Sequence, residues 1–243
     1  MRVARFLFGA LLSLFACSNP VRAGEVHWVR NGERQVDVFW QPVSGAKATL
    51  LMFSGGDGGF GTVVDGRPGS GNFLVRTLDL WTAKGFNVAY FGDLHADRYS
   101  SRHVEDIRAV LGWIEENSTA PIFLVGTSRG TISAAYAAVN IPDEHVQGLV
   151  LTSTMQELVS FRGLADLKLP VLDLSNRYDS CRSTSPGAGP ALIAALKMSP
   201  RKEFAEVSGG NSLGDPCQAM AYHGFHGIES EVVDRIAAWL LMP

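Results

Sequence analysis

The stretch Pro121-Ile122-Phe123-Leu124-Val125-Gly126-Thr127-Ser128-Arg129-Gly130 decides how this chain is read. Its first half is a short apolar run after a proline, the pattern of a buried strand. Its second half is Gly-x-Ser-x-Gly, and residues 131–138 are small and compatible with a helix. Strand, sharp turn and helix in that order turn a loose pentapeptide match into a nucleophile elbow. Gly126 and Gly130 let the backbone crowd there without side-chain clashes. Ser128 is therefore the candidate nucleophile, with its hydroxyl raised above the sheet. The N–H of Arg129 is a candidate oxyanion donor. The plainer alternative is a Gly-Thr-Ser helix cap.

Working outward, residues 33–40 alternate loosely and predict an edge strand. Residues 48–53 form a continuous apolar run, as a strand covered on both faces does. Further strands are predicted at 86–91, 146–152, 170–174 and 203–207. Helices are predicted at 73–84, with Gly85 as the stop, at 102–117, after the elbow up to Pro142, at 192–197 and at 228–241. Alternating strands and helices, with strands apolar on both faces, predict a mostly parallel sheet covered on two sides. Long irregular stretches at 59–72, 93–102, 176–190 and 209–225 are candidate functional loops, and three directly follow proposed strands.

A serine nucleophile needs a base. His27, His95, His103 and His145 fall in edge, loop or helix positions. His223 and His226 lie in the loop feeding the last helix, where a base can return over Ser128. His223 is the preferred base and His226 the alternative. The base needs a carboxylate to hold its tautomer. Asp179 follows the strand at 170–174 across a short turn. Asp173 sits inside that strand, and Asp215 shares the base's own loop. The second oxyanion donor falls in Ser54-Gly55-Gly56-Asp57-Gly58-Gly59, with Gly56 and Asp57 both open. As a phosphate loop the same glycines lack the following Lys-Ser/Thr and the dinucleotide spacing.

The first residues read as a leader. Arg2 and Arg5 precede an apolar run at 6–16, and Val21-Arg22-Ala23 fits a cleavage site after Ala23. The expectation is a signal peptide at 1–23 and one domain at 24–243, exported to the periplasm or secreted. Leu14-Phe15-Ala16-Cys17 offers lipid anchoring at Cys17 as a rival. The mature chain then holds about 220 residues with 18 basic and 24 acidic groups, and no basic cluster suggests nucleic acid. No segment after the leader is long and apolar enough for a membrane helix. Cys181 and Cys217 remain, an even count that predicts a disulfide. That bond closes a loop of about 36 residues and contributes roughly 4 kcal/mol by chain entropy. It would also staple the Asp179 loop to the His223 loop.

The order Ser128, Asp179, His223, the elbow, and the glycine turn after residue 53 together resemble the α/β-hydrolase superfamily over residues 33–241. Gly71-Asn72-Phe73-Leu74-Val75-Arg76, Asp179-Ser180-Cys181, and Cys217 followed by His223-Gly224-Phe225 look like an exported bacterial branch of it. The resemblance implies a three-layer α/β fold, with a mainly parallel sheet in the family's usual strand order, an antiparallel edge and helices on both faces. It also implies His223 as base and acyl transfer to water, with no metal or organic cofactor. Only about 18 residues separate Thr152 from Pro170, so a helical cap is minimal or absent. The expected substrates are small carboxylic esters; amides or short peptides are the alternative. A non-catalytic binding protein on the same scaffold is the rival class.

Overall fold

Two-sided apolar runs place strands at the centre of the molecule, and the computed structural model describes residues 23–92 and 97–242. In chain order, β1 (Glu25–Asn31) and β2 (Arg34–Gln41) form a hairpin. β3 (Ala48–Phe53) follows, then a short ribbon of β4 (Val63–Val64) and β5 (Arg67–Pro68). Next come α1 (Phe73–Arg76), α2 (Leu78–Ala83), β6 (Phe86–Phe91), α3 (Ser101–Asn117), β7 (Ile122–Thr127) and α4 (Gly130–Asn140). The chain continues through β8 (Gly148–Thr152), β9 (Val171–Asn176), α5 (Ala188–Ala195), β10 (Lys202–Val207) and α6 (Glu229–Leu240).

Eight strands form one sheet in the order β1-β2-β6-β3-β7-β8-β9-β10. Every pair from β6 to β10 is parallel, while β1–β2 and β2–β6 are antiparallel. Side chains alternate across the sheet. Leu51, Leu124, Leu149 and Leu151 bury against α3 and α4 on one face. Leu50, Met52, Val125 and Val150 bury against α1, α2 and α6 on the other. Three layers result, as expected from the sequence. Residues 153–170 hold only two 3-10 turns, Gln156–Ser160 and Leu164–Asp166, so little covers the sheet's carboxyl end.

Several elements differ from expectation. The strand Glu25–Asn31 was not predicted, because only Val29 in it is buried and no alternation marks it. Asn31 pairs with Arg34, leaving a two-residue turn in which Gly32 has φ 63°. The loop residues are Gly32 and Glu33, and a glycine at the first loop position supplies the positive φ such a hairpin turn needs. The helix expected at 73–84 breaks at Thr77, whose hydroxyl donates to the carbonyls of Phe73 at 2.7 Å and Leu74 at 3.2 Å. This hydroxyl competes with helix continuation. Residues 1–22 of the expected leader, Cys17 among them, and His95 lie outside the described residues.

Asp173 is fully buried in β9. Its Oδ2 accepts a hydrogen bond from Thr154, and Oδ1 has no partner among the described residues. Gly189 stands against it because a Cβ there would meet Oδ1. Burial pushes the Asp173 carboxyl up from 3.8 to about 7, only partly offset by the Thr154 hydroxyl. The folded state therefore holds a proton that the unfolded chain releases. The contribution of Asp173 to stability is greatest below 3.8 and declines as pH rises towards about 7, above which that loss levels off. Asp173→Asn should raise the melting temperature more at pH 8 than at pH 5. Equal shifts at the two pH values in thermal unfolding would contradict a buried neutral acid.

Candidate active site

The elbow forms because α4 starts almost in contact with the ends of β7 and β3. A Cβ at Gly126 would lie 2.5 Å from the Gly130 carbonyl oxygen, and one at Gly130 would penetrate the Phe53 carbonyl. Both positions therefore require glycine. Between them Ser128 takes φ 52°, the left-handed region that costs a non-glycine residue about 1–3 kcal/mol. The strain is held by hydrogen bonds on both sides. Ser128 N–H donates to Thr152 O at 3.0 Å, and Ser128 O accepts from Thr131 N–H at 2.8 Å and Thr131 Oγ1 at 2.6 Å.

His223 and Asp179 come together from loops far apart in sequence. His223 Nδ1 lies 3.0 Å from Asp179 Oδ2, and both side chains are almost fully buried. Thr184 Oγ1 donates to the same Oδ2 at 2.9 Å and stands 3.1 Å from His223 Nδ1. With the carboxylate on Nδ1, the tautomer that follows is Nδ1–H, which leaves Nε2 as a proton acceptor. Asp179 Oδ1 accepts from Cys181 N–H at 2.9 Å, so the same carboxylate also caps its own loop. Ser153, at φ 46°, donates from Oγ to the His223 carbonyl at 2.7 Å. Thr184 and Ser153 were not singled out in the sequence. Their Ser/Thr-rich surroundings carry no spacing signal, and only the tertiary fold gives them partners.

The competing residues are engaged elsewhere. His226 lies apart from the cavity wall, its Nδ1 3.5 Å from Glu229. His27 packs at a tilt on Trp113, His103 meets Phe91 edge-on, and His145 contacts Glu115 at 2.8 Å. Asp215 accepts from the backbone of Cys217 at 2.8 Å.

Ser128 and His223 line one cavity of about 330 Å³, together with Gly55, Gly56, Asn72, Cys217 and Gln218. Among the described residues no hydrogen bond joins Ser128 Oγ to His223 Nε2. Such contacts often tighten only around substrate. Gly56 forms part of the wall and carries no backbone N–H bond to a described residue; the same is true of the Arg129 N–H. Asp57 stands outside the wall, and its exposed carboxylate meets the Arg129 guanidinium at 3.4 Å. The turn is fixed from behind by buried Arg98. Its guanidinium donates to Ser54 O at 3.2 Å, Gly56 O at 3.0 Å and Ser133 Oγ on α4 at 3.2 Å. Cys181 and Cys217 are bonded, with S–S 2.05 Å, as the cysteine count predicted. The bridge joins the Asp179 loop to the cavity wall beside His223.

The strand order, the elbow and the loop positions are those of the α/β-hydrolase fold, and the chain has that fold. A dienelactone hydrolase from Anabaena variabilis ATCC 29413 superposes with TM-score 0.65 at 15% identity, covering 90% of this chain and 98% of that one. An alpha-beta serine hydrolase homologue from Coxiella burnetii matches with TM-score 0.63 at 22% identity, covering 92% and 100%. Est1E from Butyrivibrio proteoclasticus matches with TM-score 0.65 at 12% identity, covering 89% and 94%. No protein-family model and no curated protein sequence matches the chain.

Two outcomes follow from this geometry. Thr184→Val keeps the side-chain shape but removes the hydroxyl between the two partners. It should slow labelling of Ser128 by a fluorophosphonate about tenfold, the effect of losing one hydrogen bond to a charged group. An unchanged labelling rate would show that Asp179 alone orients His223. Reduction of Cys181–Cys217 should lower unfolding stability by up to about 4 kcal/mol, measured by denaturant titration with and without dithiothreitol.

Proposed function

We propose that the chain is a serine hydrolase that cleaves small carboxylic esters through an acyl-enzyme intermediate. The observation that carries this reading is the arrangement around one cavity. A strained serine at an elbow faces it, as does a buried histidine whose other ring nitrogen is held by a carboxylate.

In the proposed cycle Ser128 Oγ attacks the ester carbon while His223 Nε2 takes its proton. Asp179 stabilises the imidazolium through Nδ1–H. The oxyanion rests on the N–H groups of Arg129 and the 55–57 turn, with Gly56 favoured over Asp57 by its place in the wall. His223 then protonates the leaving alcohol, water enters, and the same steps in reverse order release the acid. Esters come first because their leaving group demands least of the general acid. The short 153–170 segment leaves the site shallow, which suits small acyl groups more than long chains. The names dienelactone hydrolase and alpha-beta serine hydrolase homologue, borne by proteins of this fold, agree with hydrolysis by such a site. We also propose export. The basic-then-apolar leader at 1–23 supports it, and so does a disulfide, a bond that persists in oxidising compartments.

A fluorophosphonate should label the parent and leave Ser128→Ala unlabelled. A folded parent that takes no label would sink the enzyme reading in favour of a binding protein. With p-nitrophenyl acetate, His223→Ala should lose about 10³-fold in kcat, while His226→Ala stays close to the parent. Near-parental turnover in His223→Ala would reassign the base.

A further inference from the structure

We propose that the side-chain amide of Asn72 is a third donor in the oxyanion hole, an inference that rests on the serine-hydrolase reading. Asn72 lines the same cavity as Ser128. Its Oδ1 accepts the Leu74 N–H at 3.0 Å, so the oxygen is committed to the backbone. The residue is held at its other polar atoms too. Its N–H donates to Ser70 Oγ at 3.3 Å, and its carbonyl accepts from Val75 N–H at 3.1 Å and Arg76 N–H at 2.9 Å. One polar atom is left over, Nδ2, which has no partner among the described residues.

The direction of Nδ2 follows from amide planarity. With Oδ1 turned to Leu74, the NH₂ end points the other way, towards Gly55. A Cβ built on Gly55 would stand 3.5 Å from Asn72 Nδ2 and 2.9 Å from Ser128 Cβ. The absence of that Cβ leaves a space bounded by the nucleophile, the glycine turn and the amide. An acyl oxygen entering there gains negative charge as the Ser128 Oγ–carbon bond forms and the carbonyl π pair moves onto oxygen. The Ser128 proton goes to His223 Nε2, and both protons stay on Asn72 Nδ2. A rigid neutral donor aimed at developing charge needs no reorganisation during the reaction, which is where such donors act most strongly.

The local cap makes a clean separation of roles possible. Asn72→Asp keeps an oxygen for the Leu74 N–H, since aspartate caps as well as asparagine. It replaces the NH₂ with an acceptor. Asn72→Ser also caps, without placing a charge in the cavity. A purely structural Asn72 predicts that both variants behave like the parent. The oxyanion role predicts that both keep the parental melting temperature. It also predicts a fall of about 10²-fold in kcat for p-nitrophenyl acetate with KM little changed, the fall in Asp being at least as large as in Ser. Parental kcat in both variants overturns the inference. So does a rise in KM at constant kcat, which marks a contact made equally in the ground state. Fluorophosphonate labelling of the parent is run in parallel. A labelled parent with unaffected Asn72 variants removes this inference alone, whereas an unlabelled parent removes the hydrolase reading and this inference with it.

Discussion

At residue 130 the start of α4 passes so close beneath the end of β3 that no side-chain carbon fits against the Phe53 carbonyl. Much of the site depends on that approach. It forces glycine at 130 and, through the same crowding, at 126. It compresses the link from β7 to α4 so that Ser128 can bridge it only with a positive φ. It also explains the composition of α4, where Ala134, Ala135, Ala137 and Ala138 are all buried. A helix seated this near the sheet favours small residues where it meets the strands, although Ile132 is buried in it as well. The raised serine is thus a consequence of packing distance, and the strain it stores is held by contacts to β8 and Thr131.

The remaining groups reach Ser128 on loops, so each loop carries its own restraint. Arg98 fixes the glycine turn through two carbonyls and also bonds to α4, which couples that turn to the helix that presents the serine. The disulfide, Thr184 and Asp179 form a short chain of contacts ending at His223. Gly224 packs against the Ala219 carbonyl, and its own carbonyl accepts from Arg76 at 2.6 Å. Arg76 also pairs with Glu229 at the head of α6 at 2.9 Å. The histidine is therefore held from in front by the bridge and from behind by the last helix. Such redundancy matters because small misplacements of reacting groups cost rate steeply.

How much of this was legible depended on whether a residue's meaning is local. The elbow was readable because two glycines around a serine, between a strand and a small-residue helix, state a backbone problem within ten residues. That Asp179 and His223 come together was readable through chain order and resemblance, and the pairing of Cys181 with Cys217 through their count. The sheet's parallel centre was readable from two-sided apolar runs. The strand at Glu25–Asn31 was not, because an edge strand that buries only Val29 leaves almost no apolar signature. Thr184, Ser153 and Arg98 were illegible for a different reason. Each is a common loop residue whose partners lie on other elements, so no spacing rule distinguishes it from a solvated neighbour. The single helix expected at 73–84 failed at Thr77, where one hydroxyl bonding two carbonyls outweighs otherwise good helical periodicity.

The lack of a cap changes which parts of the molecule can shape a substrate. In a site covered by an inserted helical domain, the lid supplies much of the wall. Here the 153–170 segment contributes no cavity wall, and the wall comes from the elbow, the glycine turn, residues 71–73 and the 217–224 loop. On the proposed reading each of these segments also carries a reacting group: Ser128, the oxyanion turn, the Asn72 amide and His223. Selectivity and reactivity are then coupled: a change at Gln218 or Ala219 that reshapes the wall also perturbs the loop that carries His223. The backbone of residues 71–73 is pinned by the Asn72 cap and by Phe73, which packs on Phe225 at 5.0 Å between ring centres. Phe225 stands two residues beyond His223, so this wall also braces the loop that carries the histidine.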